Sequence, residues 1–320
     1  MTLVRLASAV LAATLFLLPS GAMAAEQLRL ILDWFINPVH APVIIAREKG
    51  FFRDAGLDVD VKVPADPNDP PKLVAAKQAD IGGSYQPQLH LQVDEGLPVL
   101  RIGTAISTPL NTLVVLQDGP VKNLADLKGK KVGYSVGGFE TAILGAMLGE
   151  AGLKIGDVEL VNVNFSLSPA LASGQVDGVI GAYRNFELFQ LAMEGRPGRA
   201  FYPEEMGVPA FDEMIYITHR DNRDDPRLKS FLSAIERATL WLVNHPDEGW
   251  DVFKSTDRTL DDELNHRAWG ATISRFSHSP AALDHGRYDR FARFLKDQGL
   301  IKEVRPLNTY AVDLFEVTQE

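Results

Sequence analysis

Short apolar runs alternate with helical spacing through the first two thirds of the chain. Leu28 to Leu32 and the alternating Leu57 to Val63 predict strands, with a helix from Pro38 to Gly50 between them. A short helix over Pro71 to Gln78, a strand end at Asp80 to Gly83, a helix over Gln88 to Asp94 and a buried strand over Val99 to Ala105 continue the series. A second series follows. Thr112 to Leu116 and Lys131 to Tyr134 read as strands, separated by a turn and short helix over Val121 to Gly129, and Phe139 to Gly152 reads as a helix with Gly152 as its C-cap. Val158 to Val163, Pro169 to Ser173 and Val176 to Ala182 repeat the strand-helix-strand cycle. Such alternation predicts α/β units on mostly parallel sheets. From Asp224 the texture changes: Pro226 to Asn244, Pro246 to Ser255, Leu260 to Ser274 and Gly286 to Gln298 all carry helical spacing. This tail is expected to wrap the first lobe.

Length makes one core improbable and two lobes the expectation. The economical layout places residues 25–108 in lobe 1, 109–211 in lobe 2, and 212–320 back in lobe 1. Crossovers fall near Ser107 to Asn111 and Val208 to Glu213, and two crossings make a hinge. Arg5, the apolar run Leu6 to Leu18 and the small-x-small Ala22-Met23-Ala24 read as an export signal over residues 1–24, cleaved after Ala24. The periplasm is therefore the expected compartment. No cysteine occurs, which excludes disulfides, thiolate metal sites and a cysteine nucleophile. The net charge of −10, with no basic block, argues against nucleic acid. No His-Glu-x-x-His, Gly-x-Ser-x-Gly or Walker sequence occurs, and most of the histidines sit in polar surroundings.

Ordered segments carry a family resemblance. Leu32-Asp33-Trp34, Asn37 to Pro42, Ala46 to Phe52, Ala55 to Val59, Gln78 to Gly82, Leu127 to Tyr134 and Gly174 to Gly178 together resemble the thiamine-pyrimidine family. That family includes bacterial ABC binding proteins for formylaminopyrimidine or hydroxymethylpyrimidine, and fungal pyrimidine synthases. Sulfonate and nitrate binders are more distant relatives. The resemblance implies a type II periplasmic-binding-protein fold: two doubly wound α/β lobes, a hinge and a helical C-terminal tail. It implies a solute-binding component of an ABC importer, a monomer with a permease partner and no cofactor. The synthases place a lysine two residues after the glycine of Asp-x-Gly and a histidine four residues beyond. Here those positions are Ser84 and Gln88, and the segment Pro209 to Tyr216 lacks the synthases' metal-binding cysteines. Without a Schiff-base lysine or soft ligands that chemistry fails, so no enzyme is expected.

Candidate ligand contacts follow the strand ends. Trp34 could stack on a flat heteroaromatic ring, with core packing as its alternative. Asn37 and His40 stand at the next helix entry. Ser84 and Tyr85 follow the strand at Ile81, where free amides could bind a polar group and Tyr85 could complete a ring sandwich. Gly137, Gly138 and Phe139 repeat that arrangement in lobe 2, beside Glu140, a carboxylate that would oppose an anion. Tyr183, Asn185 and Glu187 follow the last strand of the second series. The resemblance gives Glu187 the role of reading an aminopyrimidine edge, against a solvated helix face. Asp212 and Glu213 read as hinge or surface acids. Other ligands consistent with the same fold are a sulfonate, nitrate, an aromatic acid or a flavin-like heterocycle.

Overall fold

A computed structural model describes residues 25–316. The expected export signal lies outside them. Two five-stranded sheets organise the chain. The first has the order β2-β1-β3-β10-β4, from Glu26–Ile31 (β1), Leu57–Lys62 (β2), Ile81–Ser84 (β3), Val99–Ile106 (β4) and Met214–His219 (β10). The second has the order β7-β6-β8-β5-β9, from Asn111–Leu116 (β5), Lys131–Tyr134 (β6), Glu159–Asn162 (β7), Gly178–Tyr183 (β8) and Gly198–Phe201 (β9). The alternation in β2 turns Leu57 and Val59 inward and Asp58 and Asp60 to solvent, as a half-buried strand requires. β4 is buried along its whole length; Arg101 and Ala311 form a parallel bridge on its outer edge.

Both sheets are mixed, where mostly parallel sheets were expected. β10 runs antiparallel to β3 and β4, and β5 antiparallel to β8 and β9. The reason is geometric. Most strands of each sheet run toward the cleft, while β5 and β10 each begin just after a crossover and run away from it. Met214–His219 and Gly198–Phe201 were absent from the sequence-based reading, and the helix Glu187–Met193 (α7) entered it only as the alternative for Glu187, whose side chain is buried rather than solvated.

Helices cover the sheet faces: Ala41–Glu48 (α1), Phe51–Asp54 (α2), Pro70–Ala75 (α3), Gln86–Asp94 (α4), Phe139–Glu150 (α5), Leu167–Ala172 (α6), Pro226–Asn244 (α8), Pro246–Ser255 (α9), Glu263–Thr272 (α10) and His285–Asp297 (α11). The single helix expected over 38–50 is a 3₁₀ turn capped by Asn37, followed by α1 and, past Gly50, by α2. α8 starts at Pro226 behind the Asp225 cap, and its Phe231, Leu232, Ile235, Ala238 and Leu242 form a buried stripe. With Phe253 and Trp269 they join the core of the first sheet. α11 differs: Phe291, Ala292 and Leu295 share a cluster with Phe139, Ile143 and Met147 of α5. The last long helix thus braces both lobes. No helix among the described residues is long and apolar enough to cross a membrane.

Candidate ligand-binding site

The C-terminal ends of the forward strands meet between the sheets, where doubly wound folds leave a crevice. Asp33 and Trp34 follow β1, Tyr85 follows β3, Phe139 and Glu140 open α5, and Tyr183 ends β8 ahead of Phe186 and Glu187. With Asn37, Leu167 and Gly181 they enclose a cavity of about 30 Å³, space on the scale of a water molecule or two.

On the first-sheet side, a buried polar network fixes the wall. Asn37 N–H donates to His40 Nδ1 at 3.2 Å. That leaves the His40 proton on Nε2, which donates to Asp33 Oδ1 at 2.9 Å. The Tyr85 hydroxyl donates to Asp33 Oδ2 at 2.8 Å. One carboxylate thereby holds a histidine and a ring. Gly83 permits this approach, because a Cβ there would meet Asp33 N at 2.8 Å. Burial, with the Asp33 charge behind it, pushes the Tyr85 hydroxyl well above the ordinary phenol range. It therefore stays a donor.

Carboxyl groups dominate the second-sheet side. Glu140 Oε2 accepts from Ser135 N–H at 2.8 Å and Val136 N–H at 3.0 Å. Burial raises its pKa to about 8; those two amides oppose the rise, and the charges of Glu213 and Glu187 add to it. Glu187 Oε2 accepts from Tyr183 N–H at 2.7 Å, and burial raises its pKa to about 7 against that bond. Gly181 has φ +100°, and a Cβ on it would overlap the Glu140 carboxyl. Only glycine lets that carboxyl lie flat against β8. Behind them Glu213 accepts from Leu110 N–H at 2.6 Å and Asn111 N–H at 2.9 Å. Burial raises its pKa to about 7, opposed by those amides and by the Arg184 charge. A neutral carboxyl both donates and accepts. The cavity can therefore pair with a ligand edge that carries a donor beside an acceptor.

Aromatic rings close the cleft. Tyr85 stacks on Phe139 with centroids 4.8 Å apart and planes at 28°. Trp34 meets Phe165 edge to face at 4.6 Å. In each pair one ring belongs to each lobe.

The structure brings together six of the expected residues at the cavity: Trp34, Asn37, Tyr85, Phe139, Tyr183 and Glu187. It does not bring the others there. His40 stands behind Asp33. Ser84 is buried and donates to Gln88 Oε1 at 2.9 Å. Gly137 donates to Asn68 Oδ1 on the far side of its loop, and Gly138 precedes α5 without lining the cavity. Asn185 points its amide at Thr272 Oγ1, 2.7 Å away in α10. Asp33, Leu167, Gly181 and Phe186 were not foreseen as cavity residues, and Glu140 was seen only as an acid near it. Asp212 and Glu213 are not surface acids. Both are fully buried, Asp212 accepting from Thr104 Oγ1 at 2.8 Å and pairing with Arg287. Asp33 carried a usable signal, a carboxylate directly at the end of the first strand. Gly181 carried none.

The chain is similar to known proteins in sequence and in fold. A Haemophilus influenzae protein described by a role in thiamine biosynthesis is 51% identical over 93% of this chain and 94% of its own length. The formylaminopyrimidine-binding protein of Halalkalibacterium halodurans is 34% identical over 76% of this chain and 73% of its own. A Candida albicans protein with the generic periplasmic-binding-protein fold superposes with a TM-score of 0.70 at 15% identity, covering 90% of this chain and 96% of that one. Two α/β lobes with this strand order are a periplasmic-binding-protein fold. The family model described as "NMT1/THI5 like" matches residues 37–249, and the chain belongs to the NMT1/THI5-like family.

Proposed function

We propose that this protein is the solute-binding component of an ABC importer and captures a thiamine-precursor pyrimidine of the formylaminopyrimidine type. It works in the periplasm, hands its ligand to a membrane permease, and catalyses nothing itself. The observation that carries this reading is a cavity with aromatic walls and two carboxyls of raised pKa, lined by no Lys or Arg among the described residues. An aminopyrimidine presents a ring nitrogen acceptor beside an exocyclic N–H donor. A protonated Glu187 satisfies both, donating with one oxygen and accepting with the other. An oxyanion such as a sulfonate or nitrate would meet acids where it needs donors, and burying it without a cationic partner is costly. The formylaminopyrimidine-binding relative supports the ligand class. Against a synthase stands the Ser84–Gln88 contact, which fills the place where the resemblance puts a Schiff-base lysine.

Binding requires the lobes to part. A flat ring enters when Phe139 leaves Tyr85 and Phe165 leaves Trp34. The two ring pairs then exchange protein contacts for ligand contacts, each worth about 0.5–1.5 kcal/mol beyond burial. The hinge lies where Glu213, on the second crossover, grips the amides of Leu110 and Asn111 on the first. Titration calorimetry with formylaminopyrimidine tests the reading. One-to-one binding is expected, with Trp34→Ala and Glu187→Ala each weakening it tenfold or more, about 1.4 kcal/mol. Absence of both heat and thermal shift at millimolar ligand, with a response to a sulfonate or nitrate instead, would overturn it.

A further inference from the structure

Glu140 is held by a loop that is itself tied across the cleft. Asn68 lies between β2 and α3, on the first-sheet side, and its carboxamide meets the backbone of residues 135–137 head to tail. Its Oδ1 accepts from Gly137 N–H at 2.8 Å, and its Nδ2 donates to the Ser135 carbonyl at 3.1 Å. Asp66 orients this amide in advance, its Oδ1 accepting from Asn68 N–H at 2.8 Å and from Asn68 Nδ2 at 2.9 Å. The same loop donates the Ser135 and Val136 N–H groups to Glu140. Ser135 therefore touches Asn68 through its carbonyl and Glu140 through its amide.

We infer that Asn68 is a positioning residue that couples closure of the cleft to the orientation of Glu140. Across the mouth, Tyr85 on Phe139 and Trp34 on Phe165 are aromatic contacts that tolerate sliding, and Asn185 adds one side-chain hydrogen bond to Thr272. Two antiparallel hydrogen bonds to one backbone segment do not tolerate sliding, because each fails beyond about 3.5 Å or with poor alignment. Asn68 thus fixes where the 135–137 loop of the second lobe stops. Ligand enters while the latch is open and leaves only when it opens again, so its loss accelerates release more than it slows capture. That kinetic part rests on the cleft being the ligand site; the closure itself can be read without any ligand.

The test is spin-label distance measurement on the whole protein, which contains no native cysteine. Labels go on Asp60→Cys in β2 and Glu159→Cys in β7, both exposed positions on outermost strands of the two sheets. Adding Asn68→Ala should shift the ligand-free distances toward a wider population, and Asn68→Asp should do the same. The aspartate keeps the acceptor for Gly137 but sets a carboxylate against the Ser135 carbonyl and Asp66. With formylaminopyrimidine, stopped-flow Trp fluorescence should show about tenfold faster dissociation and an association rate within threefold of wild type. Wider distances without any pyrimidine binding would support the latch and overturn the ligand assignment. Unchanged distances in both folded variants, or an affinity loss carried by slower association with dissociation unchanged, would overturn the latch.

Discussion

Replacing Glu140 with glutamine isolates the energetics of the acid cavity. Glutamine keeps an acceptor for the Ser135 and Val136 amides but carries no charge at any pH. In the wild type the buried carboxyl titrates at about 8 rather than the ordinary 4.5. Between those values the folded protein retains a proton that the unfolded chain releases. Its contribution to stability is fully present below about 4.5 and is lost as pH rises through about 8. At about 1.4 kcal/mol per pH unit, that window bounds the loss on the order of 4–5 kcal/mol. Movement of the ionised side chain toward water lowers the figure, so a difference of about 2 kcal/mol is expected at pH 9. Urea unfolding from pH 5 to 9 measures it. Wild type and Glu140→Gln should agree within about 1 kcal/mol at pH 5, and the variant should be the more stable at pH 9. Parallel curves, or a wild type that gains on the variant with rising pH, would refute the argument that burial of this carboxyl outweighs its two amide hydrogen bonds. Glu187 and Glu213, both near 7, add a fall in stability to each protein, smaller in the variant because the Glu140 charge that repels theirs is gone.

Two further substitutions probe the walls of the cavity. Gly181→Ala should cost about 2 kcal/mol or more, since alanine is strained at φ +100° and its methyl overlaps the Glu140 carboxyl. A melting temperature unchanged by that variant would show that β8 relaxes freely. Tyr85→Phe removes the donor to Asp33 while keeping the ring, leaving a buried carboxylate oxygen unpaired at a cost of about 1–3 kcal/mol. Urea unfolding within 0.5 kcal/mol of wild type, about the noise of such measurements, would contradict the anchoring role given to Asp33.

Much of the architecture is legible because it depends on local pattern. The alternation of Leu57 to Val63 and the stripe from Phe231 to Leu242 name a strand and a helix without knowledge of their neighbours. Met214–His219 was missed although Met-Ile-Tyr-Ile-Thr is rich in strand formers. It follows a crossover with no α-helix between it and the preceding strand, so the strand-helix rhythm gave it no place. Cavity residues divide in the same way. Trp34, Tyr85 and Glu187 sit at strand ends that the rhythm locates. Asn185, two positions from Glu187, turns instead to Thr272 in the distant α10.

Residue order alone determined that this chain builds two α/β lobes with a helical tail, since periodic burial of apolar side chains is a property of each segment. Tertiary structure alone decided which polar groups lost their water. Asp33, His40 and Tyr85 became one network, and Glu140 and Glu213 became buried acids, because strands remote in sequence end at the same crevice. Desolvation, which sets the charge of a carboxyl, depends on everything packed around it and is written in no single stretch of sequence.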